Sequence, residues 1–493
     1  MTSADSTLTV QLLRASDAPP LIEQLASHLR REIAETRLPP GSRLPSTRAL
    51  AVQLEVSRTV TSEAYATLLA EGYLEARRGA GTFVVQQAPP GRQPAPTEVT
   101  EGASPTSPPR WLPQPIDAAA VDPPADTSVP FRICEPDAEF FPDDAWRRAA
   151  RAAINEAIPE GYPPAEGDVE LRQNIAAFLQ RERGLSVAPD ELLITSGTTQ
   201  SLALIARAVV APTGGAVAFE DPGYRLARQI LIDHGARLRP VPVDDEGLQV
   251  EKLQAAEPPI AVYLTPSHQF PLGSALSYRR RLELLDWAAQ HEVLLIEDDY
   301  DSEFRFDGPV LPSLLSSDRS GSVAYLGTFS KSTSPRLRLG YLIAPPPLRE
   351  ALGRLKVRAD QGTSWLSQRV LARYLSSGAF TRHLRRMRRL YRRRRDALTE
   401  GLEPLPAGAR WCGLAAGLHA TLLLPREINA GRLVELCNRR GVRLAALESY
   451  RSGFQADPRP QNGLVLGYGA SDESQIRRAV DALRWALANI APE

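Results

Sequence analysis

The sequence predicts a multidomain chain: a small, mainly α N-terminal module with a β wing, then a long α/β domain with a large mixed or parallel sheet and a small α+β C-terminal subdomain. Three observations lead there. Residues 19–87 alternate helical patterns with short turns and finish in two strand-like runs around a glycine tip. Residues 88–130 hold twelve prolines among Ala, Thr, Ser, Gly and Asp, with few apolar residues to make a core, which reads as an extended, semi-rigid linker. From Phe131 to the end, residues 131–493, helical segments (AWRRAARAAINEAI, LRQNIAAFLQRER) alternate with β-like runs (AVAFE, IAVYLTP, VLLIEDD, VAYLGT). Strands alternating with helices argue a parallel sheet covered by helices.

Bulk properties narrow the function. The 493 residues allow two or three domains, and 43% hydrophobic against 24% charged residues suits a chain with a large core. A net charge of zero excludes a wholesale polycationic nucleic-acid binder, though not a small DNA-binding module beside a neutral domain. Cys134, Cys412 and Cys437 are too few and too scattered for a disulfide framework or a zinc site, so no metal is expected. The opening MTSADSTLTVQLLRASD lacks a basic region followed by an apolar core, and no apolar stretch is long enough to span a bilayer. The expectation is a reduced, cytoplasmic protein without a membrane partner.

Lysine usage is informative. Of 58 Lys plus Arg, only Lys252, Lys331 and Lys356 are lysines. Guanidinium replaces ammonium wherever a bare charge suffices, but it cannot form a Schiff base. Lys252 and Lys356 sit in polar, helix-like contexts and read as solvated surface lysines. Lys331 follows an apolar, strand-like run in YLGTFSKSTSP.

In the N-terminal module, Leu21, Ile22, Leu25, Leu29 and Ile33 form a helical stripe that PPG then breaks. Ser46 is placed to cap a short helix carrying Leu50 and Leu54 inward, and Ser57 to cap a second that ends at Gly72. Two short helices joined by a tight turn, the second opening Ser-Arg-Thr, suit a helix whose first residues meet base edges. YLEARRGAGTFVV then reads as two strands around a glycine tip flanked by arginines, which can enter a groove or grip phosphates. Together PPGSRLPSTRALA, VSRTV, AEGYL and GAGTFV resemble a winged helix-turn-helix of the GntR family, in order, from Pro20 to Val85. The resemblance implies double-stranded operator DNA as partner, with Arg48, Arg58 and Thr59, and Arg77 and Gly79 of the wing, as contacts. Ser46 and Ser57, which open the two helices, are counted with them. The plainer reading is a helical protein-interaction domain with solvated arginines.

The long domain carries four constellations. LLITSGTTQSLALIARAV reads as strand, Ser-Gly-Thr, helix, a form that cradles phosphate on helix N–H groups. FEDPGYRLAR puts Tyr224 after a strand and a turn, where an aromatic ring can stack on a planar cofactor or simply pack. VLLIEDDYDSEFRF ends a buried strand in acids, at the edge where α/β ligands bind. A carboxylate there can keep a pyridinium nitrogen protonated. Paired acids also suit Mg²⁺, but such a site needs no Schiff-base lysine. YLGTFSKSTSPRLRLGYLI places Lys331 after a strand and Arg338, suited to a phosphate, seven residues on.

In this order the four resemble a fold-type I, class I aminotransferase domain, whose cofactor is pyridoxal 5′-phosphate (PLP). With the module before it, and with TPSHQFPLG, EDDYDSEF and GTFSKS, the chain is identified as a member of the MocR subfamily of GntR regulators. The resemblance implies that Lys331 forms the internal aldimine and that Asp298 pairs with the pyridine nitrogen, Asp299 being the alternative. It gives Tyr300 the ring hydroxyl, Tyr224 the ring face, and Ser196, Gly197, Thr198, Thr328 and Arg338 the phosphate. Tyr162, in GYPPAEGDVELR, resembles a tyrosine donated by the neighbouring subunit, implying a homodimer, domain-swapped or head-to-tail, with shared sites.

Two departures weaken the case for transamination. Aminotransferases carry Asn-Pro-Thr-Gly where this sequence has Phe270-Pro271-Leu272-Gly273, and Val465 stands where an arginine would pair with a substrate carboxylate. The expected function is therefore a PLP-dependent transcription regulator that senses PLP or an amino compound through an aldimine at Lys331. An active aminotransferase carrying a DNA-binding domain is the alternative, and a cofactor-free dimerisation scaffold the third reading. FTRHLRRMRRLYRRRRDAL reads as an amphipathic helix with Leu384, Met387, Leu390 and Tyr391 inward and solvated arginines, in preference to a second DNA surface. His268, in PSHQF, is read either as touching the cofactor region or, at least as readily, as a structural hydrogen-bonding residue.

Overall fold

The computed structural model describes residues 10, 12–14, 18–85, 129–308, 311–452 and 461–490. Most of the proline-rich stretch, 88–128, lies outside them. The chain divides into two compact units, Met1–Gln114 and Pro115–Glu493.

In the first unit, α1 (Leu21–Ala34) buries Leu25, Ala26, Leu29 and Ile33, as its stripe predicts. Ser46 Oγ accepts Ala49 N–H to open α2 (Thr47–Gln53), and Ser57 Oγ accepts Val60 N–H to open α3 (Arg58–Ala70). These caps satisfy N–H groups that the helix itself cannot. The Thr61 hydroxyl donates to Thr47 O at 2.8 Å and the Tyr65 hydroxyl to Pro45 O at 2.9 Å, tying α3 to α2. The wing is β1 (Leu74–Arg77) antiparallel to β2 (Gly81–Val84), in register Leu74↔Val84 and Arg77↔Gly81. Gly79 (φ 79°) and Gly81 (φ 115°) turn its tip in a backbone region closed to most side chains.

The second unit begins with β3 (Val129–Pro130), at the end of the stretch read as linker, then α4 (Asp144–Ile154) and α5 (Val169–Arg183). A large sheet follows: β4 (Leu192–Thr195), α6 (Thr198–Ile205), β5 (Ala216–Asp221), α7 (Arg225–Asp233), β6 (Arg237–Asp244), β7 (Gly247–Leu248) and α8 (Val250–Gln254). It continues through β8 (Ala261–Leu264), α9 (Tyr278–Gln290), β9 (Leu294–Asp299), α10 (Leu314–Ser317), β10 (Val323–Thr328) and β11 (Gly340–Ile343). The order is β4-β11-β10-β9-β8-β5-β6-β7. Strands β10, β9, β8, β5 and β6 run parallel, while β11 and β7 are antiparallel to their neighbours, so the sheet is mixed. Both faces are covered. One face buries Leu202, Ile205, Phe219 and Tyr263, the other Val262, Leu264, Leu284 and Trp287.

Helices α11 (Pro346–Asp360), α12 (Trp365–Ser376) and α13 (Ala379–Gly401) lead to a small subdomain. It comprises β12 (Arg410–Cys412), β13 (His419–Leu424), α14 (Ala430–Arg439), β14 (Val442–Arg443), β15 (Ala445–Ala446), β16 (Asn462–Gly467) and α15 (Glu473–Asn489). Its four-stranded sheet runs β12-β13-β16-β15, and β14 pairs in parallel with β3.

Two lysine and arginine expectations need correction. Lys356 is 0% exposed, because the face of α11 that carries it turns inward against Asp360 and Thr363. On α13 the predicted residues Leu384, Met387, Leu390 and Tyr391 are buried, but so are Arg394 and Arg395, paired with Asp137 and Asp307 respectively. Lys252 is exposed as expected.

Candidate functional site

A cleft of about 1250 Å³ opens where the parallel strands end, the usual ligand position in such sheets. Thr198, Tyr224, Asp298, Tyr300, Thr328, Lys331 and Arg338 line it together, although they come from four different stretches of the chain.

Strand alternation decides between the two acids. Successive side chains of β9 point to opposite faces, so Asp298 and Asp299 cannot both face the cleft. Asp298 lines it, taking the Tyr263 hydroxyl on Oδ2 at 2.6 Å, while its Oδ1 is buried without a partner. Asp299 turns away to pair with Arg183 at 2.8 Å and to accept the Ser302 hydroxyl at 2.9 Å. Burial, with the neighbouring Asp299 charge, pushes the Asp298 carboxyl up to about 7, against the pull of Tyr263 and of Lys331.

Lys331 lies three residues beyond β10 and is half-buried on the cleft wall. The turn leading to it is braced by Thr328 Oγ1, which accepts Ser330 N–H at 3.1 Å. Arg338, in the left-handed region at φ 50°, aims its guanidinium at Gly197, where an added Cβ would come within 3.2 Å of it. Ser196 and Gly197 do not themselves line the cleft. Gly197 (φ 103°) precedes α6, and Ser196 N–H donates to Gln200 Oε1 at 2.8 Å. Behind this turn the Gln200 amide donates to Asp360, which also receives Lys356 and Gly362 N–H.

Tyr300 donates its hydroxyl to His268 O at 2.9 Å, and His268 is buried with Nδ1 3.0 Å from Asp301. Phe270 packs edge-on against Tyr224, Tyr300 and Tyr450. Val465 is fully buried with Val243, Leu272 and Leu447, so core packing fills the slot an arginine would need. Tyr162 is 81% exposed and stands away from the cleft of its own chain.

Among the cleft residues that sequence reasoning passed over, two bear directly on its chemistry. Tyr263 is one, legible only as the aromatic in an apolar strand. Cys134 is the other: its Sγ lies 3.5 Å from His419 Nδ1, and with Asp301 the three donor groups fall within 4.8 Å of one another.

In the first unit, Ser46, Arg48, Ser57, Arg58, Thr59, Arg77 and Gly79 are all exposed, with Arg58 the first residue of α3. Arg77 pairs with Glu75 and lies over the Phe83 ring at 4.6 Å. Arg43, which the motif reading passed over, packs against wing residue Gly81.

Residues 133–483 match the family model of class I and II aminotransferases, and residues 21–84 that of bacterial regulatory proteins of the gntR family. The pyridoxine biosynthesis transcriptional regulator PdxR of Corynebacterium glutamicum is 37% identical, over 95% of this chain and 94% of its own. The probable rhizopine catabolism regulatory protein MocR of Rhizobium meliloti is 34% identical, over 95% and 94%. The chain belongs to the MocR-type GntR regulators. Among solved structures, this MocR-type regulator is similar to the α-aminoadipate aminotransferase LysN of Thermus thermophilus, complexed with N-(5′-phosphopyridoxyl)-L-leucine. That match has 30% identity and a TM-score of 0.66, covering 74% of this chain and 94% of LysN. The regulator thus joins a winged helix-turn-helix to an aminotransferase fold, and no helix among its described residues is long and apolar enough to cross a membrane.

Proposed function

We propose that this regulator binds double-stranded operator DNA through its winged helices in the cytoplasm, and that PLP at Lys331, or an amino compound meeting PLP there, sets that binding. One observation carries the reading: Lys331, Asp298, Thr198 and Arg338 share one cleft in a chain that also has a winged helix-turn-helix. The residues fit the cofactor. The unpartnered, buried Asp298 Oδ1 suits a cationic ring N–H, and the Gly197 turn beside Arg338 suits a phosphate. When bound, PLP supplies an aldehyde that amines capture reversibly, on a ring that withdraws electrons. With PLP bound, Lys331 would provide the amine, Asp298 would hold the ring nitrogen's proton, Tyr224 would cover the ring, and the Tyr300 hydroxyl would serve the ring oxygen. Thr198, Thr328 and Arg338 would hold the phosphate from the cleft wall, and Ser196 and Gly197 would shape the turn behind it.

Sensing is favoured over turnover because Phe270 offers no side-chain hydrogen bond and Val465 no charge for a carboxylate. PdxR, named for pyridoxine biosynthesis, supports vitamin B6 metabolism as the regulated process. The exposed Tyr162 suits donation to a neighbouring subunit of a homodimer. The signal is a population shift: a ligand that contacts open and closed forms of the large domain differently changes which arrangement of winged helices prevails.

The test is binding of the purified apoprotein to DNA upstream of its own gene, with and without PLP, with Lys331→Ala beside it. PLP is expected to shift the affinity or footprint of the wild type and to leave Lys331→Ala unmoved. If PLP acts equally on both, sensing through Lys331 is wrong; if many turnovers of keto acid appear, the enzyme reading replaces it. At the DNA, Arg58→Ala is expected to weaken binding severalfold and to lower the slope of log affinity against log salt by about 1, as for one lost phosphate contact. An unchanged slope would show that Arg58 points away from the backbone.

A further inference from the structure

We infer that Cys134, Asp301 and His419 form a site for a divalent cation of the zinc class, beside the cleft. The three residues come from separate parts of the chain and are 6%, 1% and 0% exposed. Their donor atoms lie within 4.8 Å of one another.

The spacing of Cys134 and His419 suits a tetrahedral ion, with a carboxylate oxygen of Asp301 within 4.8 Å of both. Zinc–sulfur and zinc–nitrogen bonds of about 2.3 and 2.0 Å, at a tetrahedral angle, separate the two donors by roughly 3.5 Å. Cys134 Sγ and His419 Nδ1 are 3.5 Å apart.

The histidine is prepared as a ligand by its other nitrogen. His419 Nε2 lies 3.1 Å from the Pro271 carbonyl, an acceptor only, so the ring proton sits on Nε2. That leaves a lone pair on Nδ1, facing Cys134. Ligating histidines are commonly fixed in this way, by a carbonyl at the far nitrogen. Asp301 is likewise oriented, with Oδ1 and Oδ2 at 3.1 and 3.0 Å from His268 Nδ1.

Charge and softness select the ion. A thiolate and a carboxylate balance a double positive charge, so the occupied site is neutral in a place where a bare charge is costly. Binding through sulfur displaces the thiol proton, so one proton leaves per ion bound. Thiolate and imidazole disfavour Mg²⁺ and Ca²⁺ and suit zinc and its neighbours. Three protein donors leave a fourth position, and Cys134 lines the cleft, so the ion exchanges through it. Lys331 lies within electrostatic reach of both Cys134 and His419.

The test uses the full chain, stripped with a chelator and free of PLP, titrated with Co²⁺ and then Zn²⁺. A thiolate-to-cobalt charge-transfer band saturating at one equivalent per chain is expected, displaced by Zn²⁺ and accompanied by release of about one proton. Cys134→Ser loses the band and Cys412→Ser keeps it. As a measure that needs no variant, Zn²⁺ slows alkylation of Cys134, mapped by mass spectrometry, and leaves Cys412 unprotected. Absence of the band in the wild type, its survival in Cys134→Ser, or alkylation of Cys134 unaffected by Zn²⁺ would overturn the site.

Discussion

Asp298→Asn is expected to weaken PLP binding by roughly ten- to a hundredfold, the usual worth of one hydrogen bond to a charged partner. The same substitution should flatten the pH dependence of the apoprotein's stability. The Asp298 carboxyl is pushed up to about 7 in the folded chain, against about 3.9 for a free aspartate. Unfolding therefore releases protons across that window. The contribution of Asp298 to stability is complete below about pH 4 and is lost as pH rises through about 7. Glu220 and Glu297, buried and also raised to about 7, act in the same direction, so the difference between wild type and Asp298→Asn isolates this residue. A cationic ring nitrogen beside Asp298 offsets the burial that causes the shift, so PLP should stabilise the wild type more at pH 8 than at pH 5. Thermal denaturation at both pH values, with and without PLP, reads all of this. Overlapping profiles for the two proteins, with equal PLP affinity, would dissociate Asp298 from the ring.

Lys356→Ala is expected to destabilise the large unit by about 3 kcal/mol, the lower end for breaking a buried ion pair. Lys356 Nζ is held by Asp360 and by Thr363 Oγ1 at 3.0 Å, and removing it leaves a cavity as well as an unmatched carboxylate. Asp360 keeps some solvent contact, with 23% of its side chain exposed, which limits the loss. Its carboxylate also receives Gln200, whose other end takes Ser196 N–H. Loosening this chain should reach the turn before α6, so PLP affinity should fall along with stability. Lys252→Ala, at an exposed position, should change stability by no more than about 0.5 kcal/mol. Denaturant unfolding of the three proteins checks the order, and equal losses for the two variants would refute the buried network.

Much of the architecture was legible because it depends on local rules. Ser46 and Ser57 cap helices in the structure as in the sequence, since a hydroxyl before an apolar run satisfies N–H groups that nothing else nearby can. The wing follows from glycines at positive φ between two short strands. The runs AVAFE, IAVYLTP, VLLIEDD and VAYLGT became β5, β8, β9 and β10, because buried parallel strands are continuously apolar. Lys331 stood out because arginine had replaced almost every other lysine.

Other questions turned on partners that no local pattern names. Adjacent acids look alike in sequence; only the face of β9 and the position of Arg183 separate Asp298 from Asp299. Lys356 read as solvated because its neighbours are polar, yet Asp360 and Thr363 gave it a buried place. Three scattered cysteines argued against zinc by spacing alone. Folding then brought Cys134 against His419, 285 residues away in sequence, with Asp301 beside them. By itself, then, the sequence determined the winged module, the strand–helix alternation of the large domain and the family, because caps, turns and hydrophobic periods act over a few residues. The tertiary structure decided which acid faces the cleft, which lysine is buried and which donors meet, because desolvation and charge pairing depend on groups brought together only when the sheet and its subdomain close.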